Sequence, residues 1–367
     1  MASSYEILGD RASIPCDVGS AHGVALLTTS AGLDFEYSPF RHPSLLDKEV
    51  RIKVTHSGCC QTDTFMMKNG WGATNYPFVG GHETFGIVTH IGEKVTDFQI
   101  GDRVGHGWFR NYCTNCSICR AGNTQLCDTA EISIVNHFGG WATSYQSNQQ
   151  GFYKLPDSMP GSAAPIMCAG ATVYSPFKRD LVSGMKVGVV GIGGLGHLAL
   201  MFAKNMGCEV TAISTSPSKE PEAREFGADH FLNSRDPEAI KRNERTLDYI
   251  IDTAIAPTLD TQLRLLKPRG IVTVVGLPEG GQNPTLNAFS IVTKDLTVKG
   301  SAAGSRSEIE SMLEFCGLHS IYPKSEIYQF GNARAAIDSL GASIPRAPRY
   351  RAVLETASYF DIFTPSN

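Results

Sequence analysis

The sequence contains 367 residues, and its 32 basic and 36 acidic side chains give a formal net charge of −4. A single domain usually has about 100–200 residues, so this length predicts two domains. The charge is nearly balanced and no basic stripe is interleaved with aromatic residues, which argues against a nucleic-acid partner.

The N-terminal segment and the most apolar stretch indicate the compartment. Residues 1–20 include Glu6 and Asp10 and lack a basic start followed by an apolar run, so no secretory signal is evident. Residues 187–203 contain several glycines and His197, and are too short to cross a bilayer of about 30 Å comfortably as a helix. We therefore expect a cytoplasmic protein without a membrane partner, in which clustered cysteines bind metal more often than they form disulfides.

Residues 1–157 are rich in short runs of high β-propensity. The segments 50–56, 84–92 and 102–107 predict strands, and Gly and Pro between them predict turns. A β-rich domain of irregular topology is expected here.

Four of the ten cysteines are clustered in this first part of the chain. The spacing Cys-x2-Cys-x2-Cys-x7-Cys brings together Cys113, Cys116, Cys119 and Cys127. Four thiolates complete a tetrahedral zinc shell, with Zn–S distances of about 2.3 Å, and leave no open position, so this zinc is predicted to be structural. Free cysteines and an iron–sulfur cluster are the alternatives, although the spacing differs from that of ferredoxins.

From about residue 183 the pattern becomes strand, turn and helix in repetition. Strands are predicted at 186–191, 209–215, 247–253 and 271–276, and helices at 195–207, 219–227 and 258–270. Short buried strands that alternate with amphipathic helices predict βαβ units in a doubly wound parallel sheet, an α/β arrangement. A helix at 308–316 and a strand at 351–355 follow, in a tail expected to rejoin the first domain.

The turn between the first strand and the first helix of this sheet has the spacing GxGxxG. It consists of Gly191, Ile192, Gly193, Gly194, Leu195 and Gly196. Glycines permit a tight turn and close approach of a pyrophosphate, whose charge is met by N–H groups at the helix start. The strand before and the helix after make dinucleotide binding the favoured interpretation.

The end of the second strand distinguishes NAD from NADP. An NAD site usually has Asp or Glu here, about 20 residues after the glycines, to bind the ribose 2′-hydroxyl. This strand instead ends in hydroxyl groups and a lysine, namely Ser214, Thr215, Ser216 and Lys219. These side chains can bind and neutralise a 2′-phosphate, so NADP(H) is predicted; an ordinary polar loop is the alternative.

The candidate ligands of a catalytic metal are far apart in the sequence. They are Cys60 in GCCQTD, His82 followed by Glu83 in VGGHETFG, and Cys168 in PIMCAG. Two cysteines and one histidine leave a fourth zinc position for water or substrate. Taken singly, each of these residues is more often structural.

Long sequence motifs relate these separate candidate ligands to one family pattern. The chain resembles the zinc-type medium-chain dehydrogenase/reductase superfamily over nearly its whole length, and is most similar to the branch of cinnamyl alcohol dehydrogenases and NADPH-dependent aldehyde reductases. The segments that carry this resemblance are KNGWGATNYPFVGGHE, PIMCAGATVYSPF and GIGGLGHLALMFAKNMGCEV.

The resemblance implies the roles of these residues. Cys60, His82 and Cys168 would bind the catalytic zinc, with Glu83 beside it. Thr62 would hydrogen-bond the substrate oxygen and pass its proton towards the cofactor ribose, and Asp63 would orient His82. Cys59 is not expected to be a ligand, because neighbouring side chains in an extended segment point in opposite directions.

Three positions depart from the family pattern. Gln61 replaces the common His or Ser, Gly80 replaces a common Pro, and Phe65 stands where many relatives have a relay histidine. These changes leave the ligands intact and affect the proton path beyond the ribose. By family position, Trp71, Trp108 and Phe289 are candidates for lining the substrate pocket.

The resemblance also implies the architecture and the activity. We expect a GroES-like catalytic domain at 1–157 and 303–367 and a Rossmann domain at 158–302. The implied enzyme is a homodimer with two zinc ions per chain that reduces aldehydes to alcohols with NADPH. Reduction of an activated C=C or iminium bond is the alternative activity, and a non-enzymatic protein that keeps the fold is the alternative class.

Overall fold

The computed structural model describes residues 5–8, 21–254, 257–278, 283–340 and 349–356. The chain divides into two compact units. The first unit comprises residues 1–168, 305–313 and 323–367, and the second comprises residues 169–304 and 314–322. The domain boundaries expected above, 1–157 with 303–367 and 158–302, stay a prediction.

The strands within the described residues are β1 (Glu6–Ile7), β2 (His22–Leu27), β3 (Glu36–Arg41), β4 (Glu49–Cys59), β5 (Thr84–Ile91), β6 (Arg103–His106), β7 (Phe109–Asn111), β8 (Glu131–Ile132), β9 (Ser144–Asn148), β10 (Phe152–Lys154), β11 (Lys186–Val190), β12 (Glu209–Ser214), β13 (His230–Asn233), β14 (Leu247–Asp252), β15 (Leu266–Val274), β16 (Thr297–Gly300), β17 (Ser325–Gln329) and β18 (Arg351–Glu355). The helices are α1 (Gln61–Met67), α2 (Ser117–Arg120), α3 (Ala169–Asp180), α4 (Gly196–Asn205), α5 (Glu220–Glu225), α6 (Pro237–Arg242), α7 (Asp260–Leu265), α8 (Ala288–Lys294), α9 (Arg306–His319) and α10 (Ala333–Leu340). Short 3₁₀ helices include Thr124–Leu126, Gly161–Met167 and Pro217–Lys219.

The main sheet of the first unit is built around the long strand β4. Its order is β10-β6-β5-β4-β18-β17, and β9 also pairs with β4. The 11 residues of β4 suffice for β9 to pair with its first half and for β18 to pair with its second half. This brings β18, the last strand of the described residues, beside the end of β4, where Cys60 follows.

The second unit contains a six-stranded parallel sheet of order β13-β12-β11-β14-β15-β16. This is the doubly wound order of a Rossmann fold, with the first strand, β11, in the middle beside β12 and β14. The predicted parallel sheet is therefore confirmed. The GxGxxG turn lies at the carboxyl end of β11, where ligands of such sheets bind.

One predicted helix is shorter than the sequence suggested. The segment 258–270 was expected to be helical throughout, but α7 ends at Leu265 and β15 begins at Leu266. Pro268 cannot donate a helix hydrogen bond, and Arg269 has a positive φ of 63°, so neither fits a helix interior. None of the helices in the described ranges is long and apolar enough to cross a membrane.

Besides His82, the described part of the first unit contains three buried histidines. His42, His106 and His137 expose 5%, 1% and 6% of their surface. Burial lowers the pKa of each one below its ordinary value, in the case of His106 to about 3. His106 keeps its ring in hydrogen-bond contact with Tyr145 and Ser147, so it is accommodated as a neutral group.

These histidines predict acid sensitivity of the fold. An unfolded histidine takes up a proton below a pH of about 6.5, whereas buried His106 stays neutral down to about 3, so the free energy of unfolding falls across that window. Replacing His106 with Gln should remove about 1.4 kcal/mol of the loss that occurs between pH 7.5 and 5.5, as measured by chemical denaturation.

The comparison is between the slopes of the free energy of unfolding against pH, so a lower absolute stability of the variant does not affect it. His319→Gln is the control, since that side chain is exposed. An identical pH slope in wild type and His106→Gln would contradict the prediction.

Candidate active site and cofactor site

Four polar side chains that are distant in sequence meet in the first unit. One ligand atom from each of Cys60, His82, Glu83 and Cys168 lies within 4.8 Å of the other three. Cys60 precedes α1, His82 and Glu83 precede β5, and Cys168 follows the 3₁₀ helix at 161–167. The neighbouring Cys59 belongs instead to a hydrophobic cluster, as the strand alternation predicts.

The fully buried carboxylate of Asp63 connects these segments. Its Oδ2 accepts a hydrogen bond from the backbone N–H of Cys60 at 3.2 Å, and its Oδ1 accepts from the backbone N–H of Gly81 at 2.8 Å. The same Oδ1 lies 2.9 Å from Nδ1 of His82. A carboxylate can only accept, so Nδ1 carries the proton and Nε2 is left as a lone-pair donor.

This lone-pair donor fits a cation. Nε2 of His82 is buried and has no hydrogen-bond partner among the described residues. Burial lowers the pKa of His82, but the Asp63 carboxylate outweighs it and raises the pKa well above the ordinary value. Surroundings that favour a proton on Nε2 also favour a metal ion there, beside the thiols of Cys60 and Cys168. The Cys168 thiol, against the effect of burial, holds the pKa of Cys60 well below its usual range.

Arg351 is a site residue that the sequence reasoning missed. Its guanidinium donates a hydrogen bond to Oε1 of Glu83, and both side chains are almost completely buried. Burial raises the pKa of Glu83 to about 7 although the charge of Arg351 opposes it. The only signal in the sequence is an arginine that precedes the apolar run Ala352–Leu354 of strand β18, since its partner lies 268 positions away.

Glycines make room around this cluster. A Cβ on Gly58 would lie 2.0 Å from Oε2 of Glu83, so the glutamate needs a glycine beneath it. A Cβ on Gly80 would lie 2.8 Å from the ring of Trp141, which is a steric reason for glycine where relatives often have proline. The indole N–H of Trp141 in turn donates to the backbone oxygen of Gly58 at 3.0 Å.

The other predicted active-site residues lie on or near α1. Thr62 is in its first turn and half-buried, and Gln61 before it is exposed. Phe65 is 7% exposed and packs edge-on against Trp71, with ring centroids 5.8 Å apart, so the relay position holds a hydrophobic contact.

The remaining pocket candidates differ in their surroundings. The ring of Trp108 packs edge-on against His82 at 5.1 Å, which makes it part of the wall of this cluster. Phe289 lies on α8 in the second unit and is 76% exposed. The pocket role of both residues stays a prediction.

The four-cysteine segment forms a separate cluster. The sulfur atoms of Cys113, Cys116, Cys119 and Cys127 all lie within 4.8 Å of one another. Backbone N–H groups of Cys116 and Cys119 donate to the sulfurs of Cys113 and Cys116 at 3.4 and 3.3 Å. The N–H of Cys116 lowers the pKa of Cys113, and the Thr129 hydroxyl lowers that of Cys127 to about 6. Thiolates stabilised in this way suit a closed metal site.

The glycines of the GxGxxG turn have distinct surroundings. Gly191 has a positive φ of 85°, which a tight turn requires and glycine adopts readily. A Cβ on Gly196 would lie 1.8 Å from the backbone oxygen of Gly191, whereas a Cβ on Gly193 would meet nothing within 4 Å. The open space above Gly193 fits a pyrophosphate, and the tight contact at Gly196 serves helix–strand packing.

The predicted 2′-phosphate residues follow β12. Ser214 is buried and its hydroxyl accepts a hydrogen bond from the backbone N–H of Ser216 at 3.1 Å, while Thr215 is exposed. The ammonium of Lys219 donates to the backbone oxygen of Ile192 at 2.6 Å, so this lysine reaches the GxGxxG turn.

Two family models match the chain. The model for the alcohol dehydrogenase GroES-like domain matches residues 46–157, and the model for zinc-binding dehydrogenases matches residues 194–317. The aldehyde reductase AdhA of Synechocystis sp. is 40% identical over 324 residues, which cover 87% of this chain and 94% of that protein.

Solved structures also match. A cinnamyl alcohol dehydrogenase from Sorghum bicolor has a TM-score of 0.86 at 36% identity, with 91% of this chain and 97% of that chain covered. The CAD protein of Helicobacter pylori, solved in complex with NADP(H), has a TM-score of 0.83 at 29% identity, with 91% of this chain and 98% of that chain covered.

Two glycine substitutions should separate ligand binding from folding. Gly193→Ala places its methyl group in open space, so the thermal unfolding midpoint should stay near wild type while dinucleotide affinity falls at least about tenfold. Gly196→Ala forces a contact with the Gly191 oxygen, so both the midpoint and the affinity should fall. Calorimetry and fluorescence titration measure the two quantities, and wild-type affinity in Gly193→Ala would contradict the assignment of the cofactor site.

Proposed function

Because this chain belongs to the zinc-type medium-chain alcohol dehydrogenase family, which pairs a GroES-like domain with a Rossmann domain, we propose that it reduces aldehydes to primary alcohols, reversibly, with NADPH. Its relatives are aldehyde and alcohol oxidoreductases by name. The observation that carries the proposal is the buried Nε2 of His82, which has no hydrogen-bond partner among the described residues, in a cluster whose ligand atoms, including the thiols of Cys60 and Cys168, lie within 4.8 Å of one another.

The metal ligands follow from this arrangement. We assign Cys60, His82 and Cys168 to a catalytic zinc, with Glu83 beside it, and the cluster of Cys113, Cys116, Cys119 and Cys127 to a structural zinc. When bound, the catalytic zinc polarises the carbonyl group as a Lewis acid and NADPH supplies the hydride.

The role of the protein side chains is to hold and move a proton. Asp63 keeps the Nδ1 proton on His82, so that Nε2 remains a donor to the metal. Thr62, two residues after Cys60, donates its hydroxyl proton to the substrate oxygen as negative charge develops there. Phe65 has no group that relays protons, so we propose that the path continues from Thr62 through the cofactor ribose to water.

NADP(H) is the proposed cofactor. The strand β12 ends without a carboxylate that would repel a 2′-phosphate, and Lys219 and the hydroxyls of Ser214, Thr215 and Ser216 follow it. Reduction is the proposed direction, because NADPH usually serves as the reducing pool. A homodimer is proposed from the family resemblance alone.

The proton donor can be tested with Thr62→Val, which keeps the side-chain shape and removes the hydroxyl. Positioned acid–base groups contribute about 10²–10⁴-fold in rate, so kcat for aldehyde reduction should fall by that factor. Zinc content and NADPH affinity should stay near wild type, and Thr62→Ser should restore most of the rate.

Deuterated NADPH shows whether hydride transfer limits the rate in these variants. Wild-type turnover by Thr62→Val, with a full deuterium effect, would refute the carbonyl mechanism. It would favour reduction of an activated C=C or iminium bond instead.

Metal analysis tests the two zinc sites. Freshly purified protein should contain two zinc ions per chain. Cys116→Ser should lose one zinc together with much of its stability, because the segment that contains the four cysteines packs around a small apolar cluster. Cys168→Ser should lose one zinc and its activity while keeping most of its stability.

The matched control is Cys208→Ser, a buried cysteine outside both clusters. It should retain two zinc ions. One zinc or none in the wild-type protein would contradict the assignment.

A further inference from the structure

The carbonyl groups of the GxGxxG turn are held by side chains at four successive positions. The hydroxyl of Thr253 lies 2.9 Å from the oxygens of both Val190 and Gly191. The next two oxygens, of Ile192 and Gly193, accept from Lys219 at 2.6 Å and from Nδ1 of His197 at 2.9 Å. Each of these four oxygens, that of Val190 at the end of β11 and those of the first three residues of the turn, therefore has a donor from within the protein.

Three N–H groups of the same turn differ from these carbonyl groups in lacking partners among the described residues. None of the described residues accepts a hydrogen bond from the N–H of Ile192, Gly193 or Gly194. Consecutive N–H groups without a protein acceptor, at the start of a helix, form a concave anion site. Fixing the carbonyls fixes the peptide planes, and hence the direction in which these N–H groups point.

The position of Thr253 is itself fixed by hydrogen bonds of its own backbone and of the neighbouring residue. The neighbouring Asp252 is completely buried, and its two oxygens accept from the N–H of Ala254 at 2.9 Å and from the side-chain amide of Gln262 at 2.6 Å. The backbone N–H of Thr253 also donates to the Val190 oxygen at 3.0 Å. A Cβ on Gly191 would lie 3.1 Å from the Thr253 hydroxyl, so this segment packs directly under the turn.

We propose that Thr253, held in place by Asp252, is a positioning residue that presents the N–H groups of the turn to the pyrophosphate of a dinucleotide. The inference rests on the proposed function, since it requires that NADP(H) binds at this turn. It assigns Thr253 to the part of the ligand that NADPH and NADH share. Lys219 also donates to the turn, at the Ile192 oxygen, but it is in addition the residue proposed for the 2′-phosphate, which only NADPH has.

The experiment uses three ligands and matched variants of the full chain. NADPH contains both the pyrophosphate and the 2′-phosphate, NADH only the pyrophosphate, and adenosine 2′-monophosphate only the 2′-phosphate. Thr253→Val removes the hydroxyl and keeps the shape, whereas Thr253→Ser keeps the hydroxyl. Thr246→Val is the control, because the Thr246 hydroxyl also donates to a carbonyl, that of Asn243 at 2.6 Å, away from the turn.

Thr253→Val should weaken NADPH and NADH by the same factor, about tenfold, and leave adenosine 2′-monophosphate within about twofold of wild type. Thr253→Ser should restore both dinucleotides, and Thr246→Val should bind all three ligands as wild type does. Lys219→Ala should show a different pattern, with larger losses for NADPH and adenosine 2′-monophosphate than for NADH.

Two results would overturn the inference alone. One is wild-type dinucleotide affinity in Thr253→Val. The other is an equal loss of adenosine 2′-monophosphate, which would mean general damage to the second unit. Absence of dinucleotide binding by the wild-type protein would instead overturn the proposed function, and the inference with it.

Discussion

The buried carboxylate of Asp63 is the interaction on which the active-site cluster depends. It accepts hydrogen bonds from Cys60, from Gly81 and from the ring of His82, so it fixes both the position and the tautomer of the ligands. A buried carboxylate is costly without donors, and these three groups offset that cost. Removing it would leave the donors unsatisfied and release the end of β4 from the turn before β5. The geometry of the site is thus specified by one side chain that need not touch the substrate.

A second buried acidic group, Glu83, connects the site to strand β18. Its counter-ion is Arg351, and the strand β18 that carries Arg351 pairs with β4 so that Val353 faces Gly58. Gly58 is also the residue whose missing side chain makes room for Glu83. Sheet pairing, the glycine at position 58 and the counter-ion Arg351 therefore all favour the same position for the Glu83 side chain. A sequence specifies a unique fold when its local and long-range interactions agree in this way.

The sequence predicts best what is encoded locally. The parallel sheet follows from alternating strands and helices, and the proximity of Cys113 and Cys127 follows from a short spacing. The cluster around Cys60 required the resemblance to a family, because its members are separated by long stretches of chain. Arg351 and Thr253 were not predicted at all: an arginine at the start of a short strand or a threonine at a strand end has no local signature, and their partners lie 268 and 62 positions away. The helix expected at 258–270 was too long because the strand pairing of β15 prevailed over local periodicity.

The insertion of β18 between β4 and β17 has a consequence for biosynthesis. The ribosome makes β4 long before β18, so the sheet whose strand β4 leads to Cys60 stays incomplete until β18 has been made. At about 5–20 residues per second, that interval is on the order of tens of seconds. During this interval the second half of β4, which pairs with β5 on one side, lacks its partner β18 on the other. An unpaired strand edge can pair with the wrong strand, so translation is the stage at which β4 is most exposed to mispairing.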